Sequence, residues 1–366
     1  MRAAADGTAL LPASLAAWLD THADRLDTDA SLAPEVVPRL ADAGLFGIGV
    51  PAQYGGSDGT AVDAIAAIAA VAERSVTAAF VFWGQRTFIE YLLQGENDAL
   101  RARWTADLVA GRQAGATGLS NAMKFLSGIE SLQIDAVRDD KRENDGWRLD
   151  GGLAWITNLR KEGFIAAAAV NMPDGAPPAV IAFTHDASGA VRSPNLDLLA
   201  LRGSNTAAIK LSGVRIDNAD VIAADARAWL PGVRPAFLGM QCGLSIGLAR
   251  ASLDAAQALA GTVRGPLPAR IEEARAALEA QAAALAEGVL DGRFKSAAPD
   301  MFRLRIALAA SVQGAVMLEL QASGGKAYLQ QQGGGFARRW REAAFIPIVT
   351  PSLTQLQAAL DKLGAA

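Results

Sequence analysis

Apolar residues fall into three textures along this chain. Over residues 1–113 they recur at helical intervals, with Leu15, Leu19, Leu26, Val37 and Leu40 spaced to share helix faces. The run Pro51-Ala52-Gln53-Tyr54-Gly55-Gly56 breaks that rhythm, because Pro and Gly punctuate loops. Helices are predicted from Asp63 to near Ser75, over 87–93, and through Trp104 and Leu108 to Gly111. Over residues 114–222 the period changes to two, with Leu132, Ile134 and Ala136 alternating with polar neighbours. Trp147-Arg148-Leu149 and Ala154-Trp155-Ile156 flank Asp150-Gly151-Gly152, which predicts two strands joined by a hairpin turn. Continuous apolar runs at 164–170 and 180–183 read as buried strands, and Ile209, Leu211, Val214 and Ile216 close the block. Over residues 223–366 the helical period returns. Ile271, Ala274, Leu278, Ala282, Leu285 and Val289 trace one face of a long helix. Another is predicted from 302 to about 321, and a last one after Pro351.

Helices, then strands, then helices predict an α+β chain of three domains, at 1–113, 114–222 and 223–366, and argue against a doubly wound sheet. A length of 366 residues accommodates that division. Neither glycine-rich nucleotide motif, G-x-G-x-x-G after a strand or G-x-x-x-x-G-K-[ST], is found.

Composition narrows the chemistry. Thirty-four Lys+Arg against 38 Asp+Glu, scattered along the chain, gives no basic patch for nucleic acid. Mean hydropathy is +0.19, yet the excess comes from alanine, and apolar runs such as 164–170 are far shorter than the ~20 residues of a spanning helix. No basic flank precedes an apolar segment near Met1, so a cytoplasmic location and no membrane contact are expected. One cysteine, Cys242, excludes a disulfide framework, and two histidines, His22 and His185, leave little for a metal centre; no metal is expected.

The succession of short motifs resembles the acyl-CoA dehydrogenase superfamily of flavoproteins over nearly the whole chain. Leu40 to Ile48 running into Pro51-Ala52-Gln53-Tyr54-Gly55-Gly56 is similar to the family's "L-x-x-x-G-L-x-x-x-x-x-P-x-x-Y-G-G". Trp155-Ile156-Thr157-Asn158 matches its W-I-T-N, and Leu201-Arg202-Gly203-Ser204-Asn205-Thr206 resembles "L-G-x-R-x-S-D-T" with Asn205 replacing the acid. Gln321-Ala322-Ser323-Gly324-Gly325 is similar to its Q-x-x-G-G. The resemblance implies a helical N-terminal domain, a middle antiparallel β domain and a C-terminal four-helix bundle. It also implies a homodimer or homotetramer binding FAD, with FMN or loosely held reduced flavin as the alternative. Trp155 and Thr157 would meet the flavin ring. Leu119 and Ser120 would meet its pyrimidine edge, Ser127 its pyrophosphate, and Gln321, Gly324 and Gly325 its ADP half across a subunit interface. From spacing alone, Trp155 and Thr157 lie two apart on a strand and share a side, which also suits an ordinary core Trp.

Departures from the family pattern concern catalysis. Its dehydrogenases remove the α-proton of an acyl thioester with a Glu in "Y-E-G-T"; the loop here reads Ile348-Val349-Thr350-Pro351-Ser352, placing Thr350 or Pro351 at that position. The alternative Glu position of the family aligns with Val233. The phosphate loop is rebuilt as Phe125-Leu126-Ser127-Gly128, and "R-x-x-F-G-x-P" becomes Gly261-Thr262-Val263-Arg264-Gly265-Pro266-Leu267. Gln85 and Arg86, polar among Phe80, Val81, Phe82 and Phe88, are candidates for the substrate pocket with Thr350; a solvated helix end is the other reading of Arg86. Glu342 is expected to form a structural ion pair with Arg341. Cys242 is expected in the core without a cationic neighbour.

Three functions follow from the resemblance. The first is α,β-dehydrogenation of an acyl thioester with an atypical base, with an electron acceptor that the residues do not specify. The second is a monooxygenase of the same fold, using reduced flavin and O₂, for which no carboxylate is needed. The third is a non-catalytic subunit.

Overall fold

The computed structural model describes residues 11–126, 128–139, 146–260, 265–329 and 334–364. The first region holds α1 (Ala13–Thr28), α2 (Ala33–Asp42), α3 (Ala61–Ala72), α4 (Val76–Leu93) and α5 (Asp98–Val109). Local chemistry sets their starts. Thr60 and Asp63 form a reciprocal cap at α3, Ser75 accepts from Ala78 N–H at α4, and Asn97 accepts from Leu100 N–H at α5. Helix α4 is buried on all sides along nearly its whole length, as a central helix must be. It begins eleven residues before the helix predicted at 87–93.

The strand region comprises β1 (Ala114–Thr117), the short helix α6 (Ser120–Leu126), β2 (Ile134–Arg138), β3 (Trp147–Ile156), β4 (Phe164–Val170), β5 (Ala179–Thr184), β6 (Ala190–Asn195), β7 (Ala207–Ile216) and β8 (Val221–Ala223). Two four-stranded sheets result, ordered β1-β4-β5-β8 and β2-β3-β7-β6. Pairing is antiparallel except between β1 and β4, which run parallel. The expected hairpin at Asp150-Gly151-Gly152 is not a turn: these residues lie inside the continuous strand β3, flanked by β2 and β7. Close backbone approach explains the glycines. A Cβ on Gly151 would lie 2.1 Å from the Gln133 carbonyl oxygen, and one on Gly152 2.8 Å from that of Ile209.

The last region holds α7 (Ala226–Ala260), α8 (Leu267–Leu290), α9 (Ala298–Ser323), α10 (Gly334–Phe345) and α11 (Leu353–Lys362). Helices α7, α8 and α9 pack on one another, with α3 against α7 and both α10 and α11 against α9. On α8 the predicted face is the buried one at Ile271, Leu278 and Leu285. The stretch Ala298–Tyr328 is long and apolar enough to cross a membrane, but half of its apolar 18-residue window is buried inside the protein. One apolar core runs through all three regions, and the cavity described next opens where they meet.

Candidate active site

A cavity of about 610 Å³ lies between the strand region and the helices on either side of it, within the range of ligand-sized sites. One wall comes from the strand region. Trp155, near the end of β3, is 63% exposed, and Thr157 just beyond the strand is buried against the same space. Thr117 on β1 and Ser120 and Lys124 on α6 complete it. The sharing of one side by Trp155 and Thr157 therefore holds, although β3 shifts register between Leu153 and Ile156.

The opposite wall is helical and aromatic. Phe80 stacks on Trp83 with centroids 5.4 Å apart and meets Phe345 edge-on at 4.8 Å; Trp83 leans on Phe237 at 5.3 Å. Trp83 Nε1–H donates to the Phe237 carbonyl, which locks α4 to α7 there. Arg341 lies on the same face of α10 as Phe345 and also lines the space. A third side is the segment Leu198 to Leu201. It is held by the Asp27 carboxylate, which accepts from Leu201 N–H at 3.0 Å. Leu201 and Asn205 have positive φ, 57° and 54°, and Asn205 also donates to the Ala33 carbonyl. Asn visits that backbone region more readily than most residues, a physical reason for its presence where the family pattern has Asp.

Thr350 lines the cavity, and its Oγ1 accepts a 2.9 Å hydrogen bond from Ser120 Oγ. Behind it, Gln241 Nε2 donates to the Thr350 carbonyl at 2.8 Å. Arg305, wholly buried, donates from Nε to Gln241 Oε1 and from Nη2 to the Ile346 carbonyl at 2.7 Å. Both ends of the loop from Ile346 to Thr350 thus hang on one guanidinium. No carboxylate pairs with Arg305, its Nη1 has no partner among the described residues, and burial pulls its pKa down. Sequence reasoning missed Arg305 and Gln241; a lone Arg inside the apolar face of a long helix was the available signal.

Among the described residues lining the cavity there is no Asp, Glu, His, Cys or Tyr. Its polar side chains are hydroxyls, Gln355 and two cations, Lys124 and Arg341. That donor set suits a flavin: a flat apolar wall at Trp155, hydroxyls at its edge, and no fixed negative charge to oppose phosphate or a reduced ring.

Several expected residues lie elsewhere. Gln85 and Arg86 do not face the cavity. Gln85 is fully buried, donating to the Leu108 and Gln113 carbonyls while its Oε1 accepts from Gly115 N–H and Asn158 Nδ2–H. It ties α4 to β1 beneath Thr157. Gly84 permits this closeness, since a Cβ there would lie 3.2 Å from Thr157 Cγ2. Arg86, also fully buried rather than solvated, donates to the Ile48 and Gly49 carbonyls and pairs with Glu90 at 2.7 Å. Leu119 is packed in the core beside Ser120. Gln321, Gly324 and Gly325 are exposed at the end of α9, away from the cavity, with Gln321 accepting from Arg270. Ser127 and Gly261 to Arg264 lie outside the described residues.

Glu342 pairs with Arg338 at 2.9 Å, not with Arg341, and also accepts from Val76 N–H; burial pushes its carboxyl above the usual range. Arg341 pairs instead with the buried Asp27. Cys242 does have a cation nearby, Arg305, but burial dominates and pushes the thiol up to about 12. Val233 is buried in α7.

Residues 13–112 match the family model described as "Acyl-CoA dehydrogenase, N-terminal domain". A curated relative, the probable acyl-CoA dehydrogenase YngJ of Bacillus subtilis, is 27% identical over 256 residues, which is 65% of this chain and 63% of that protein. The chain thus matches less than two thirds of that relative's length. Among solved structures, a glutaryl-coenzyme A dehydrogenase complex has a TM-score of 0.76 at 19% identity, covering 96% of this chain and 95% of the other. Dibenzothiophene monooxygenase TdsC from Paenibacillus sp. A11-2 has the same TM-score at 16% identity, covering 96% of each chain. At those identities the likeness establishes fold, and dehydrogenase and monooxygenase fit it equally. Residues 13–112 thus carry an acyl-CoA dehydrogenase N-terminal domain, and the chain takes the fold shared by those dehydrogenases and the monooxygenase.

Proposed function

We propose that this protein is a flavin-dependent monooxygenase, acting with reduced flavin and O₂ on a small molecule held between the aromatic wall and the flavin. The observation that carries this reading is the absence of any carboxylate or imidazole among the described residues lining the cavity, where Thr350, which with Pro351 aligns with the family's base, presents only a hydroxyl. Removal of an α-proton from a thioester requires a group that accepts it, and at neutral pH a threonine hydroxyl does not. FAD is the flavin this reading assigns, with FMN as the alternative. Trp155 and Thr157 would cover its ring, and Ser120 would hydrogen-bond its edge. Bound and reduced, it would supply the electrons with which one atom of O₂ enters the substrate and the other leaves as water. The protein's part is positioning and exclusion of water. The aromatic wall shields the reacting space, while Arg305 and Gln241 hold Thr350 in place.

A second reading, dehydrogenation of an acyl thioester, is favoured by the curated relatives and the N-terminal domain match. Anaerobic titration of the flavin-loaded protein with acyl-CoA esters from short to long separates the two. Unchanged flavin absorbance with every ester, together with turnover that needs reduced flavin and O₂, supports the monooxygenase. Bleaching of the main visible band by any ester overturns it.

A further inference from the structure

Both charged side chains lining the cavity are cations, and their carboxylate partners sit behind them. Lys124 pairs with Glu130 at 3.2 Å, and Arg341 with Asp27 at 2.7 Å. Asp27 is wholly buried, and its second oxygen is taken by Leu201 N–H. Arg341 remains 28% exposed. Its Nε and Nη2 both address one oxygen of Asp27. Nη1 has no partner among the described residues, so one edge of the planar guanidinium stays open. Such an edge matches a carboxylate with two parallel hydrogen bonds. One helical turn further along the same face of α10, Phe345 meets Phe80, which stacks on Trp83. Arg341 and this aromatic cluster thus line the same cavity as Trp155 and Thr157.

We propose that Arg341 is an anion-recognition residue for the substrate, and that the substrate class is an apolar, ring-bearing carboxylate whose ring lies on the Phe80–Trp83–Phe345 cluster. Asp27 orients the guanidinium and prevents it from swinging out to solvent, so the open edge is preorganised. The proposal rests on the functional reading above only in taking the Trp155 wall as the flavin side. The anion preference is independent of which reaction follows.

The test is calorimetric titration of the protein, with and without added FAD, using phenylacetate and its neutral isostere phenylacetamide. Wild type is expected to bind phenylacetate at least tenfold more tightly. Arg341→Lys keeps a charge for Asp27 but lacks the open planar edge, and is expected to lose most of that preference. Should Arg341→Met fail to fold with Asp27 unpaired, the neutral pair Asp27→Asn/Arg341→Met replaces it and is expected to show none. No phenylacetate binding by wild type at millimolar concentration, equal affinities in wild type, or a preference that survives in Arg341→Lys and the Met variant alike overturns the proposal. So does loss of FMN binding with riboflavin binding intact in Arg341→Lys, which would give the guanidinium to the flavin's phosphate. Bleaching by acyl-CoA, by contrast, would sink the monooxygenase reading and leave this one standing.

Discussion

Arg86 and Arg305 are both wholly buried guanidinium groups, yet they are buried differently. Arg86 has a carboxylate, Glu90, and two backbone carbonyls, and it lies away from the cavity, pinning the loop at Ile48 and Gly49 to α4. Arg305 has no carboxylate and one unpartnered nitrogen, and what it holds is the loop carrying Thr350. A buried cation is costly unless it is paired. The comparison teaches that the well-paired arginine maintains the fold, while the poorly paired one is tolerated where it shapes the cavity.

The sharpest way to break that comparison is Arg86→Met. Removing one partner leaves Glu90 and two carbonyls behind, with an expected loss of about 3–5 kcal/mol, read by urea unfolding. A loss no larger than that of Arg305→Met would erase the distinction. Gln85→Leu is next. Four hydrogen bonds disappear beneath Thr157, and a loss of about 2–3 kcal/mol is expected because buried polar groups go unsatisfied.

Arg305→Met should cost only about 1 kcal/mol, since no carboxylate is left unpaired. It should nonetheless weaken flavin or ligand binding through a loosened Thr350 loop, measurable by titration of the flavin spectrum. Thr350→Val should change stability by less than about 0.5 kcal/mol. If Arg305 acts through this loop, Thr350→Val should alter ligand affinity in the same direction, and Thr350→Ser should restore it.

The smallest effect concerns Cys242. Its thiol is pushed up to about 12 in the fold, so the folded state holds that proton more tightly than the unfolded chain does. Its stability contribution is therefore complete at neutral pH and is lost as pH rises from the ordinary thiol range toward 12. At pH 8 a thiol reagent should label the native protein only as fast as it unfolds. Rapid labelling would contradict the burial.

Much of the fold was legible because it is written in local periods. The period-two pattern found β2 and β7, the face on α8 was the buried one, and Trp155-Ile156-Thr157-Asn158 led directly to the cavity wall. What failed depended on partners distant in the chain. Gln85 and Arg86 looked like pocket residues because a polar pair among phenylalanines commonly serves a ligand. Their acceptors, at Ile48, Gly49, Leu108 and Gln113, are backbone carbonyls that no side-chain pattern announces. Asp150-Gly151-Gly152 has the composition of a turn, but the glycines answer to neighbouring strands that only the assembled sheet brings near. Glu342 found Arg338, a helical turn away, because adjacent residues on a helix point apart. Arg341 was thereby released to Asp27 and the cavity.

Trp155 is 63% exposed on the wall of the cavity. An indole left bare is a reservoir of unrealised hydrophobic free energy, which any planar ligand covering it would release. The melting temperature of this protein is then a property of the solution as much as of the chain, and should climb with flavin concentration as mass action fills the cavity. Shelf life, expression yield and resistance to proteolysis would follow the same supply.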